Sequence, residues 1–171
     1  MKNLVFSKNN KRYIFYFAAI AGAIGYLENI LPKPMIFIKI GLSNIPILLV
    51  MDQINIGDLF FVILIKLFLS NFFSGYLLTP SFLLSLTGNL GAFIALIMVR
   101  KIRKLSLPVK SIFISFFSNL TQTLFYAFFL LNDLFALKSI VFISGLSVIT
   151  GLITGSIAYV ILKDYLKFSF I

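Results

Sequence analysis

The chain has 171 residues, with no cysteine, no histidine, no tryptophan and only five carboxylates. Without cysteine it can form neither a disulfide nor a thiolate metal site. Without histidine it lacks the commonest metal ligand and general base, and nucleophile–base pairing loses its usual members. The acidic residues, Glu28, Asp52, Asp58, Asp133 and Asp164, are too scattered for a paired-carboxylate motif that holds a divalent metal and a diphosphate. No Gly-x-x-x-x-Gly-Lys-Ser/Thr loop is present to cradle ATP phosphates. Catalysis within this chain is therefore not expected, and neither a bound metal nor a cofactor is implied.

Long apolar runs take the place of these groups. The composition is 60% hydrophobic and 12% charged, with a mean hydropathy of +1.06, far from a water-soluble domain. The expectation is a single all-α integral membrane domain over residues 1–171, built as a bundle of six spans. The spans are placed at 13–30, 36–51, 56–75, 80–102, 107–132 and 137–162. Breakers separate them: Leu31-Pro32-Lys33-Pro34, Asp52-Gln53-Ile54-Asn55, Gly75 to Pro80, Leu105 to Pro108, and Asn132-Asp133. The second span is interrupted by Lys39, Gly41 and Pro46, so a broken or re-entrant helix is expected where protein or a cavity can satisfy the freed backbone.

Basic residues orient the bundle. If spans alternate, eleven of the fifteen fall on one side: Lys2, Lys8, Lys11, Arg12, Arg100, Lys101, Arg103, Lys104, Lys110, Lys163 and Lys167. The positive-inside rule makes that side, with both termini, cytoplasmic, and the expected location is a cytoplasmic membrane. The net charge of +10 is then a topological signal, with anionic lipid as a contact, and nucleic acid is not an expected partner. The first span has a basic flank like a signal peptide, but five more spans follow and it is read as retained.

The polar residues inside the spans are few. Lys66 interrupts the run LFFVILIKLFL, and a charge at membrane depth usually faces protein or a watery cavity. Lys66, Ser70 and Ser74 share a face of the third span with Asn71 alongside. Ser81, Ser85, Gly88/Asn89 and Ala92 line one face of the fourth, and Ser111, Ser115, Ser118/Asn119, Gln122 and Tyr126 one face of the fifth. Glu28, Asn71 and Ser85 fall in the outer half of the membrane, and Asn44, Lys66, Asn89, Asn119 and Gln122 near the middle. These eight residues are the candidate substrate-binding set, around a cavity open outward and closed below. Interhelical hydrogen bonding alone is the competing explanation of each hydroxyl and amide. Lys66 could equally meet an anionic ligand or pair with Glu28. Ala18, Gly22 and Gly25 make a small-residue face on the first span, Ala19 and Ala23 the adjacent one, and Gly151 and Gly155 repeat the pattern in the last.

The order of motifs resembles a known family. Glu28-Asn29-Ile30-Leu31-Pro32-Lys33-Pro34, then Lys39-Ile40-Gly41-Leu42-Ser43-Asn44-Ile45, resembles the opening of the Gx transporter family, also described as heptaprenyl diphosphate synthase component I. Lys66 with Asn71 and Gly75, the stretch Ser81–Gly88, Asn119-Leu120-Thr121-Gln122 and Gly151-Leu152-Ile153-Thr154-Gly155 continue it over about residues 15–160. The chain departs from it at Ser118, where a histidine would be expected. That family is similar to the substrate-binding S components of energy-coupling-factor vitamin transporters. The resemblance implies transport of a small molecule, with a flavin as the best guess for the transported ligand. It further implies docking through Ala19 and Ala23 to a transmembrane coupling subunit energised by ABC ATPases. The alternatives are a membrane component of prenyl (heptaprenyl) diphosphate synthesis or an assembly subunit of a redox complex.

Overall fold

The structure is a computed structural model that describes residues 11–31, 40–102, 104–131 and 140–168. Pro32-Lys33-Pro34, Lys39, Arg103, Asn132-Asp133 and the terminal Lys2 and Lys8 lie outside the described residues. The described chain forms α1 (Lys11–Ile30), a 3-10 turn (Leu42–Asn44), α2 (Ile45–Val50), α3 (Ile56–Phe73), α4 (Pro80–Lys101), α5 (Leu107–Phe125) and α6 (Ile140–Phe168). Five of these helices are long and apolar enough to cross a membrane, and the protein is a multi-pass membrane protein.

Local chemistry sets the ends. Pro80 and Pro108 occupy the first turns of α4 and α5, where a missing N–H costs nothing, after the extended residues Thr79 and Ser106. Gly75, at φ +71°, ends α3. Its N–H bonds Phe72 O at 3.1 Å, and that of Tyr76 bonds Asn71 O at 2.9 Å, a left-handed glycine cap. Beyond α5 the chain continues as a π-helical turn over Tyr126–Leu131.

Pair contacts fix the directions. Phe15 meets Phe61 and Tyr26 meets Phe73, at ring separations of 5.6 and 6.1 Å, so α1 and α3 run parallel. Ser111 bonds Thr154, and Asn119 bonds Ser147, so α5 and α6 run antiparallel. Gly88 lies against Gln122, and Gly91 against Thr121, which makes α4 and α5 antiparallel as well. Parallel α1 and α3 require the chain between them to return across the membrane. Lys110, at the start of α5, meets Asp52 at 3.1 Å, which places residue 52 at the same end as Arg100 and Lys101. A second crossing therefore exists, but it is not a continuous helix.

The interruption expected within 36–51 takes a definite form in the described part. Gly41 adopts a left-handed conformation at φ 85°, and Pro46 sits in the first turn of α2, so the described part of the crossing is a 3-10 turn followed by six helical residues. Interior placement makes this break tolerable: Ser43, Ile45, Pro46, Ile47, Leu48 and Val50 are all buried, and α2 packs on α1 and α6. Around the bundle the neighbours are α1, α3, α4, α5, α6 and α2, closing back on α1.

Burial is inverted relative to a water-soluble protein. Phe68, Phe72, Phe129, Phe142 and Ile149 point outward, more than half exposed, while Asn71, Thr123 and Ser147 are fully buried. The apolar core clusters toward the basic end: Leu59, Val62 and Ile63 of α3, Ala92, Ala95, Leu96 and Val99 of α4, Ile114 and Ala158.

A polar cavity at mid-membrane

Above that apolar plug the interior turns polar. Lys66 is ten residues into α3, Asn119 twelve into α5, and Asn89 twelve from the end of α4. At 1.5 Å per residue these positions stand about 15–18 Å from the basic end, the middle of a hydrocarbon layer of about 30 Å. Three helices thus deliver polar side chains to one depth. The small cavity they line holds about 20 Å³, room for one water.

Six of the eight residues expected at a binding site meet there: Glu28, Asn44, Lys66, Asn89, Asn119 and Gln122. Lys66 is 5% exposed, and its ammonium donates to Asn44 Oδ1 at 2.6 Å. Glu28 bonds the broken crossing. Its carboxylate accepts the backbone N–H of Gly41 and, at 3.4 Å, that of Ser43. It therefore supplies the acceptor that the broken second crossing lacks, and ties α1 to the 3-10 turn. At the basic end an ion pair joins Lys110 to Asp52 at 3.1 Å.

Asn119 donates to Ser147 Oγ on α6 at 2.9 Å, and Asn89 to Ser85 O in its own helix at 2.7 Å. Gln122 is 2% exposed, and its Oε1 has no hydrogen-bond partner among the described residues. Gly88 makes room for it, since a Cβ there would stand 2.6 Å from Gln122 Cδ.

Asn71 and Ser85 do not line the cavity. Asn71 donates to Leu67 O at 2.8 Å with its Oδ1 unpartnered, and Ser85 Oγ donates to Ser81 O at 2.9 Å. Helical spacing alone placed them beside the polar stripe, but both bond back to their own helix.

The cavity also has walls outside the set of eight expected residues. Gly41 and Ser43 of the broken crossing, Gly25 of α1, and Ser70, Ser115 and Ser118 complete it. Gly25 is needed for close approach: a Cβ there would lie 2.9 Å from Ser70 Cβ and 3.5 Å from Ser43 Cβ. The Gly41/Pro46 interruption was the available signal for this wall. Asn29 was overlooked too, although its Nδ2 bridges α1 to α3 through Ser74 Oγ at 3.1 Å and Ser70 O at 3.3 Å.

Ala19 and Ala23 are exposed on the outside of α1, away from the cavity. Gly151 and Gly155 pack inside the bundle instead, against the backbone of Ile112 and Pro108. Among the described residues no three His, Cys, Asp or Glu side chains gather to hold a metal ion.

A multi-pass helical bundle with an apolar plug at one end and a charged, amide-lined cavity at mid-depth is the class that fold and site define. The family model for heptaprenyl diphosphate synthase component I matches residues 17–161, and the chain belongs to that family. Comparison with curated proteins and with solved structures gives no match.

Proposed function

We propose that this protein is a membrane-embedded, non-catalytic binding subunit that takes up a small polar molecule from the outer side, the substrate-recognition part of a transporter. The polar cavity above an apolar plug carries this reading. Six chemically varied side chains converge at mid-membrane, while Leu59, Val62, Leu96 and Val99 fill the end below. A water-sized cavity admits a larger ligand only if a wall yields. The wall that is not a long helix is the segment 41–50, held to α1 through Glu28. The exposed Ala19/Ala23 face supports docking of a transmembrane coupling subunit with its ABC ATPases, and a flavin is the first ligand to test.

The family match favours a second reading, a membrane component of heptaprenyl diphosphate synthesis acting beside a catalytic partner subunit. A partner would have to supply the chemistry, since the five carboxylates of this chain are dispersed.

Native mass spectrometry of the full-length protein in lipid nanodiscs, screened against flavins, other vitamins and prenyl diphosphates, separates the two. Retention of a vitamin supports transport. Retention of a prenyl diphosphate, or co-purification of a soluble synthase that loses activity without this chain, supports the second reading and overturns the first.

A further inference from the structure

Resting on the reading that the cavity binds a ligand, we infer that its ligand is recognised through a hydrogen-bond donor, an N–H or O–H set beside an acceptor, and that Gln122 Oε1 receives that donor. The class is a neutral or singly charged amide-, imide- or ureide-like head group rather than a diphosphate.

Two observations lead there together. The first is the orphan acceptor. Gln122 is 2% exposed, lines the cavity, and leaves Oε1 without a partner among the described residues. Buried polar groups are nearly always satisfied, and of the orphan side-chain atoms among the described residues only that of Gln122 belongs to a residue lining this cavity. The side chain lies against Gly88, where a Cβ would stand 2.6 Å from Gln122 Cδ and 2.7 Å from Cγ.

The second observation is the charge inventory. The described lining contains one cation, Lys66, and one carboxylate, Glu28. Their charges cancel. A diphosphate brings two or more negative charges and oxygens that only accept, so it would leave Gln122 Oε1 unsatisfied and most of its own charge unpaired. A head group with one donor and one acceptor meets Gln122 with the first and Lys66 with the second. A site built to receive a donor discriminates strongly against analogues that lack it, because the buried acceptor is then stranded.

The test uses the full-length protein in nanodiscs and matched probes: riboflavin against 3-methylriboflavin, biotin against its ureido-N-methyl analogue, and farnesyl diphosphate. Affinities come from calorimetry. The expected result is that at least one donor-bearing probe binds about tenfold or more tightly than its methylated partner. Gln122→Met, similar in volume, should keep the thermal unfolding profile and bring the two members of that pair within about twofold. Gly88→Ala, which displaces Gln122 without removing it, should reduce the discrimination too. Equal binding of both members of every retained pair, or tighter binding of farnesyl diphosphate, overturns the inference while leaving a ligand site in place. Retention of no probe counts against the ligand-site reading itself.

Discussion

Lys66→Met separates a functional lysine from a structural one. The ammonium is 5% exposed at the middle of α3, with a 2.6 Å bond to Asn44 Oδ1. A lysine at helix centre costs about 2.5–3.5 kcal/mol to place in a membrane interior. Each charge-assisted hydrogen bond it makes there returns about 1.5–3 kcal/mol, and loss of the one to Asn44 also strands Asn44 Oδ1. Methionine matches the length and brings no charge. The gain and the losses largely offset one another, so the variant should lie within about 2 kcal/mol of the wild type. Binding should not be so forgiving. Losing one charge-assisted hydrogen bond to the ligand weakens affinity by about ten- to 150-fold. Thermal unfolding in detergent, with calorimetry against whichever probe the wild type retains, reads both numbers. A variant that loses about 3 kcal/mol or more of stability and binds normally would show Lys66 to be a structural group, and the account of the cavity would fail with it.

Five further substitutions test the packing and the buried polar groups. Gly155→Ala puts a Cβ 2.5 Å from Pro108 Cα and 2.8 Å from Ser111 Cβ, so α6 must retreat from α5 and stability should fall by about 1–3 kcal/mol. Gly145→Ala, with open space around it, should be neutral or gain up to about 1 kcal/mol, and equal melting shifts for the two alanine variants would refute the α5–α6 register. Asn71→Leu removes a fully buried amide whose Oδ1 has no partner and should stabilise the protein by about 1 kcal/mol in chemical denaturation; a loss would mean that this carbonyl has work elsewhere. At the basic end Lys110 is 5% exposed and Asp52 55%, so Asp52→Asn, which strands a buried ammonium, should cost about 1 kcal/mol more than Lys110→Met, which leaves a wet carboxylate.

Much of the fold follows from hydropathy and breakers because those signals are local. Apolar runs about 20 residues long specify spans without reference to anything distant. The expected bounds of α4, 80–102, differ from Pro80–Lys101 by one residue, since Pro80 is a local signal. The end of α6 was harder. The sequence suggested 162, but the helix continues to Phe168, past Lys163 and Asp164, because a helix leaving the membrane keeps its own hydrogen bonds in water. The second crossing was legible as an interruption and not as a shape. Gly41 and Pro46 say where a helix cannot continue, but only α1 and α6 closing around it allow the break to lie buried.

The cavity shows the same division between local and distant information. Period and depth brought Asn44, Lys66, Asn89, Asn119 and Gln122 into one expectation, and the helices place all five around one small space. Glu28 required knowledge of what folds back on it. Nothing local in its sequence says whether its carboxylate meets Lys66 or the N–H groups of Gly41 and Ser43. Energetics decides in favour of the backbone. An irregular segment inside a membrane must have its N–H groups satisfied by protein, and Glu28 is the buried carboxylate within reach of that turn. With Glu28 bonded to that turn, the cavity keeps an ammonium that donates to Asn44 and a glutamine carbonyl with no partner among the described residues. Asn71 Oδ1 is open among the described residues too, but away from the cavity; what sets Gln122 apart is that it lines the cavity, where a bound ligand would supply the partner.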